Sequence, residues 1–160
     1  MYLSKIFIRN FRGIKELLVE FDKKLNVIIG ANGQLKTSLM DAIRLFYAWG
    51  EPNRDIEITK EDFHVEITQN DDGTKTIEQS TKIDICYQFE GLSAQQEGAF
   101  YQYLDKKDDG TMIARVHLSF EMKEKREDIF LIHNRQRRER SSCRLEYVSF
   151  FSSLLFGCIT

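Results

Sequence analysis

The spacing of apolar residues changes several times along the chain, and each change predicts a different element. In "SKIFIRNFRGI", residues 4–14, Ile6 and Ile8 alternate with Lys5, Phe7 and Arg9. That is the two-residue period of a half-buried strand. Residues 17–21 of "LLVEFDKKLNVIIG" predict a second strand, with a turn at residues 22–24. Residues 25–29 form a short apolar run with β-branched members, suited to a strand buried on both faces. From Lys36 to Trp49 the period lengthens: Leu39, Ile43 and Phe46 fall three or four apart beside Ala42 and Tyr47, which predicts an amphipathic helix. Gly50 and Pro52 end it.

Further on, Thr59 stands three residues before Asp62, the spacing of a helix-capping pair, so "ITKEDFH" predicts one short helical turn. Residues 81–92 alternate, with Ile83, Ile85, Tyr87 and Phe89 on one face. Residues 93–107 predict a helix capped at Ser93, and residues 111–122 and 128–134 predict two more strands. Two turns share the tetrapeptide "DDGT", at residues 71–74 and 108–111. Neither has the ligand spacing of a calcium loop, and glycine suits both as a turn residue with positive φ. From residue 135 the character changes again. "RQRRERSSCR" carries five arginines in ten positions, a run able to touch phosphate but also ordinary for a solvated linker. "LEYVSFFSSLLFGCIT" then closes the chain. Sixteen residues including Glu146 fall short of the roughly 20 apolar residues of a membrane span. We therefore divide the chain into a lobe at residues 1–134 and a basic, then apolar, tail at 135–160, with a non-native or truncated end expected there.

Composition narrows the class. The chain has 160 residues, 42% hydrophobic and 30% charged, enough for one folded domain with a real core. A net charge of -2 gives no global attraction to nucleic acid, so such contact would rest on local patches. Three cysteines, Cys86, Cys143 and Cys158, lack C-x-x-C spacing and fit a reducing, cytoplasmic setting without a disulfide framework or zinc site. The N-terminal apolar stretch is broken by Lys5 and Arg9, unlike a signal peptide. His64, His117 and His133 fall in three predicted elements with no i, i+4 pair, which argues against a metal site.

The candidate chemistry lies between the apolar run and the helix. A phosphate-binding loop reads G-x-x-x-x-G-K-[ST] between a strand and a helix. Gly30, Ala31, Asn32, Gly33, Gln34, Leu35, Lys36 and Thr37 occupy those eight places. Loop N–H groups and the helix N-terminus favour phosphate there. Lys36 is placed to bridge the β- and γ-phosphates, Thr37 to take a position on Mg²⁺, and Ser38 to donate to the α-phosphate. Leu35 stands where the pattern wants glycine. A left-handed backbone at leucine costs about 1–2 kcal/mol, or roughly five- to thirtyfold in affinity, so a weakened ATP site is expected.

"IFIRNFRGIKELLVEFDKKLNVIIGANG" and "KTSLMDAIRLFY" resemble the N-terminus of ABC-type ATPases of the SMC and RecF kind. "ITKEDFH" and "IDICYQFEGLSAQQEGAFYQYL" are similar in particular to the OLD (overcoming lysogenisation defect) family of bacterial ATP-dependent nucleases, which carry a C-terminal Toprim domain. The resemblance implies an α/β fold: a P-loop NTPase, the first lobe of an ABC-type ATPase head, with a mixed sheet and antiparallel strands. It implies ATP and Mg²⁺ as ligands, and a homodimer or partner ATPase subunit. It implies DNA only as part of a larger complex, phage defence as the setting, and no membrane. Asn32 matches the asparagine of the family's "NG" pair, and Arg12 the arginine of "NFR", which lies near the nucleotide in such ATPases. Read alone, Arg12 is equally a strand-end residue. Three signatures are missing: "VHLSFE" is the nearest string to a Walker B motif, and neither an "LSGG"-like segment nor a Toprim acidic cluster follows. Without those acidic and trans-acting groups, binding without hydrolysis is expected. Two alternatives stay open: an interaction or dimerisation module with a degenerate nucleotide site, and an SMC- or RecF-like repair ATPase fragment, although no coiled-coil heptads follow.

Overall fold

The computed structural model describes residues 1–33, 35–48, 56–70 and 73–122, and the backbone course of 129–133. Its centre is an antiparallel sheet. Strand β1 (Tyr2–Phe11) pairs with β2 (Ile14–Glu20) on one side and with β5 (Lys82–Glu90) on the other. β5 in turn pairs with β7 (Met112–Met122). The far edge of β7 is shared: β6 (Leu104–Lys106) covers its start and β8 (Ile129–His133) its end. A separate hairpin, β3 (Val65–Gln69) with β4 (Lys75–Gln79), has every residue exposed. Gly73 (φ 79°) and Gly110 (φ 84°) adopt the left-handed backbone expected of the two "DDGT" turns.

The alternation read from the sequence becomes the core. Ile6, Ile8, Ile83, Ile85, Tyr87 and Phe89 share one sheet face and are buried there with Leu39, Ala42 and Leu45 of α1 (Lys36–Tyr47). The Phe46 ring sits 5.1 Å from Tyr87 and 4.8 Å from Phe89, centroid to centroid. The Tyr87 hydroxyl donates to the Ala42 carbonyl at 2.6 Å, fastening helix to sheet. Burial pushes that phenol far above its ordinary pKa, with Cys86 adding to the shift, so it stays a donor at all workable pH. Tyr87→Phe is expected to cost about 1 kcal/mol and roughly 2–4 °C in Tm, since it leaves a buried carbonyl short of a partner. A melt unchanged within error would show the bond contributes nothing.

Two expectations are corrected. Residues 25–29 do not form a buried strand: Leu25, Val27 and Ile29 are exposed at 72%, 39% and 51%, and no described strand pairs with them. An apolar run becomes a buried strand only when neighbours supply its hydrogen bonds, and none of the described strands does so. The helix expected at residues 93–107 covers only α2, Ala94–Ala99. Ser93 does cap it, with the reciprocal Gln96 bond, but a 3-10 turn at Tyr101–Tyr103 follows, and residues 104–106 are drawn into pairing with β7. The Thr59–Asp62 capping box forms around a 3-10 turn, Lys60–Asp62. The β3–β4 hairpin was not foreseen. Trp49 to Asp55 and the basic and apolar tail lie outside the described residues. No helix among the described residues is long and apolar enough to cross a membrane.

Candidate nucleotide-binding site

The loop at residues 30–37 runs from the exposed extended segment into α1. Gly33 takes φ 83°, and Leu35, the helix N-cap, takes φ 53° and ψ 0°. Leucine thus occupies the left-handed conformation that explains glycine in the usual pattern. No side chain caps α1, and its first turn holds no acidic residue. The leading N–H groups of a helix have no intrahelical acceptor, so this end suits an anion. The Lys36 ammonium folds back over the loop, donating to the Gly30 and Ala31 carbonyls at 2.6 Å each. Thr37 is exposed, while Ser38 is buried beneath the helix start. Asn32 is exposed; Gln34 lies outside the described residues.

These residues fit a nucleoside triphosphate: an ammonium over the loop, uncapped helix amides and two left-handed loop positions fall on one segment. For Mg²⁺ the chain itself offers Thr37. No group of His, Cys, Asp or Glu suited to a metal occurs among the described residues. When bound, Mg²⁺ would supply charge neutralisation of the phosphates, held by their oxygens and the Thr37 hydroxyl.

Arg12 follows the β1 strand with φ 51°. Its guanidinium bonds Asp41 of α1 at 2.5 Å and Asp62 at 2.7 Å, and lies 5.0 Å from the Phe11 ring centroid. Burial opposes its charge, but the bonds and charges of Asp62 and Asp41 outweigh that and raise its pKa. The Arg12 backbone is tied as well: its N–H donates to the Asp62 carbonyl, and its carbonyl lies 2.7 Å from His64 Nδ1. The side chain is therefore a structural clamp between the β1–β2 turn, α1 and the 3-10 turn. Sequence reading placed Arg12 at the site but missed Asp41 and Asp62; an acidic residue on the helix face toward "NFR" was the only available signal.

The opposite sheet face carries a Ser–His–Asp grouping that resembles catalytic machinery in composition only. Asp84 Oδ1 accepts Ser119 Oγ at 2.8 Å, and lies 3.0 Å from His117 Nε2 and 3.1 Å from Lys82 Nζ. Hydroxyl and imidazole converge on the same oxygen, so the carboxylate, not the imidazole, holds the serine. No nucleophile–base relay is built. Burial alone would raise the Asp84 pKa; the bonds from His117, Ser119 and Lys82 overcome it and bring it to about 2. A depressed carboxylate stabilises the fold above its unfolded pKa, and that contribution fades as pH falls from about 4 toward 2. Its size is about 2 kcal/mol. Acid unfolding of Asp84→Asn should therefore be flatter than wild type across that window, and parallel curves would refute the assignment.

The family model described as "AAA ATPase domain" (AAA_15) matches residues 1–152, so the chain belongs to the AAA ATPase domain family. It is thus a P-loop ATPase-type chain, and a short segment of it is similar to RecF proteins. Over 45 residues it is 42% identical to the DNA replication and repair protein RecF of Halothermothrix orenii, covering 28% of this chain and 12% of that protein. Over 43 residues it is 49% identical to RecF of Lactobacillus acidophilus, covering 27% and 12%. The matched segment thus spans about an eighth of the length of these relatives. A solved structure from "Structural biochemistry of ATP-driven dimerization and DNA stimulated activation of SMC ATPases" aligns over 85% of this chain and 72% of its own, at 18% identity and a TM-score of 0.47.

Proposed function

We propose that this chain is the N-terminal ATP-binding lobe of an OLD-type ATP-dependent DNA endonuclease, binding ATP with Mg²⁺ through residues 30–38. The observation that carries the reading is the Lys36 ammonium poised over the loop at an uncapped helix N-terminus. The OLD assignment rests on the resemblance of "ITKEDFH" and "IDICYQFEGLSAQQEGAFYQYL" to that family, segments that form the capped turn at Thr59–Asp62 and the run from β5 through α2. Glu121 of "VHLSFE" lies within β7, opposite Lys82 in the pairing register, a strand partner rather than a Walker B acid. Hydrolysis and DNA cleavage then need further protein: a second copy or a partner ATPase subunit, and the nuclease portion of a larger cytoplasmic complex. DNA is met only within that complex.

Two other readings have an observation behind them. The left-handed Leu35 favours a non-enzymatic interaction or dimerisation module whose site has decayed. The identity to RecF favours a repair ATPase lobe. Titration of the 160-residue chain with a fluorescent ATP analogue and Mg²⁺ separates nucleotide binding from decay. Wild type should bind; because Leu35 already holds the left-handed backbone in the fold, Leu35→Gly should chiefly raise Tm by about 2–4 °C and change affinity little. Binding by neither protein would leave the module reading standing.

A further inference from the structure

We propose that the Leu35 side chain, itself 36% exposed, lies in the space that Gly13 leaves by lacking a Cβ, and that this contact latches the phosphate loop to the β1–β2 turn. The inference rests on reading that loop as the nucleotide site, and concerns how the site tolerates its leucine. A Cβ placed on Gly13 would meet Leu35 Cδ2 at 2.5 Å, closer than real Cβ atoms approach any neighbour. The missing side chain is thus what admits the leucine.

Gly13 has no backbone reason to be glycine. In this turn the left-handed residues are Asn10 (φ 58°) and Arg12 (φ 51°), whereas Gly13 lies outside that region. The residue able to adopt positive φ freely sits beside those that do, and its use is to lack a Cβ where Leu35 arrives. The same turn is bound through Arg12 to Asp41, six positions along α1 from Leu35. Loop and helix are therefore fastened twice to one turn, once by apolar contact and once by charge. With its side chain resting on Gly13, Leu35 stays clear of the cradle that Lys36 spans, and its backbone strain is carried by the fold rather than by phosphate binding.

Because the contact is made by the end of a rotatable side chain, alanine at 13 evicts the leucine without breaking the fold. The test is a cycle of Gly13→Ala, Leu35→Gly and the double variant in the full chain, read first by melting without nucleotide. Gly13→Ala should lower Tm by about 2 °C in wild type and raise it by roughly as much in the Leu35→Gly background, where only the entropic gain of Gly→Ala remains. The same Tm shift in both backgrounds would overturn the latch. So would the absence of cross-relaxation between Leu35 methyl and Gly13 α protons by NMR. If Gly13→Ala is insoluble and the double variant folds, the latch stands; if both are insoluble, it falls. With the fluorescent ATP analogue, Gly13→Ala should weaken binding in wild type and leave Leu35→Gly unaffected. If no variant binds nucleotide, the nucleotide reading fails, while the melting cycle still decides the latch.

Discussion

Lys36→Ala should lose nucleotide binding almost completely, with little change in melting temperature. The ammonium sits 2.6 Å from two loop carbonyls, which places it at the mouth of the loop. Triphosphate competes for it as a charged acceptor, and charge-assisted bonds are about twice as strong as neutral ones. Removing such a donor costs about 2–4 kcal/mol, which is roughly 30- to 1000-fold in affinity. The contact is exposed, so its own contribution to stability is small. Loss of binding with an intact melt thus separates a ligand role from misfolding. Lys36→Arg should not rescue, because a planar fork cannot replace a compact point charge inside a tight loop. Titration of both variants beside wild type checks this, and binding by Lys36→Ala within about threefold of wild type would remove the phosphate role.

The second large effect is on stability. Arg12→Ala removes the shared guanidinium from two carboxylates only 16% (Asp41) and 9% (Asp62) exposed, leaving Asp41 with Arg44 at 3.4 Å and Asp62 with its Thr59 capping bonds. Breaking a fully buried pair costs about 3–5 kcal/mol. Arg12 is itself 32% exposed, so solvent screening reduces the expected loss to about 2–3 kcal/mol, or roughly 5–10 °C in Tm. The backbone supplies a sharper discriminant. Arg12 stands at φ 51°, where glycine is relieved of about 1 kcal/mol of strain that alanine retains. Arg12→Gly should therefore melt higher than Arg12→Ala although both remove the guanidinium. Equal melting of the two would show that the positive φ stores no strain; a melt like wild type in both would show the clamp is not structural.

The two variants also bear on how the family pattern is used here. Lys36 is proposed as a ligand residue whose loss should spare the fold, whereas Arg12 makes fold contacts with Asp41 and Asp62. Both were singled out by one stretch of sequence. Only the contacts of Arg12 with Asp41 and Asp62 distinguish their roles.

What the sequence determined by itself is what local physics governs. The two-residue alternation of β1 and β5 marks the apolar side chains that enter the core, because successive residues of a strand face opposite ways. The capping boxes at Thr59 and Ser93 depend on residues three apart and needed no tertiary context. The positive φ at Leu35 was legible as well, since the P-loop pattern puts glycine there for that conformation. Tertiary structure decided what depends on partners distant in sequence. Residues 25–29 have the composition of a buried strand, yet Leu25, Val27 and Ile29 stand exposed and only Ile28 packs on the core, because a strand is made by its neighbours' hydrogen bonds. Residues 104–106 leave a helical pattern because the edge of β7 accepts them. The notch at Gly13 is the plainest case: twenty-two positions separate it from Leu35, and only folding brings the missing side chain of one against the surplus side chain of the other.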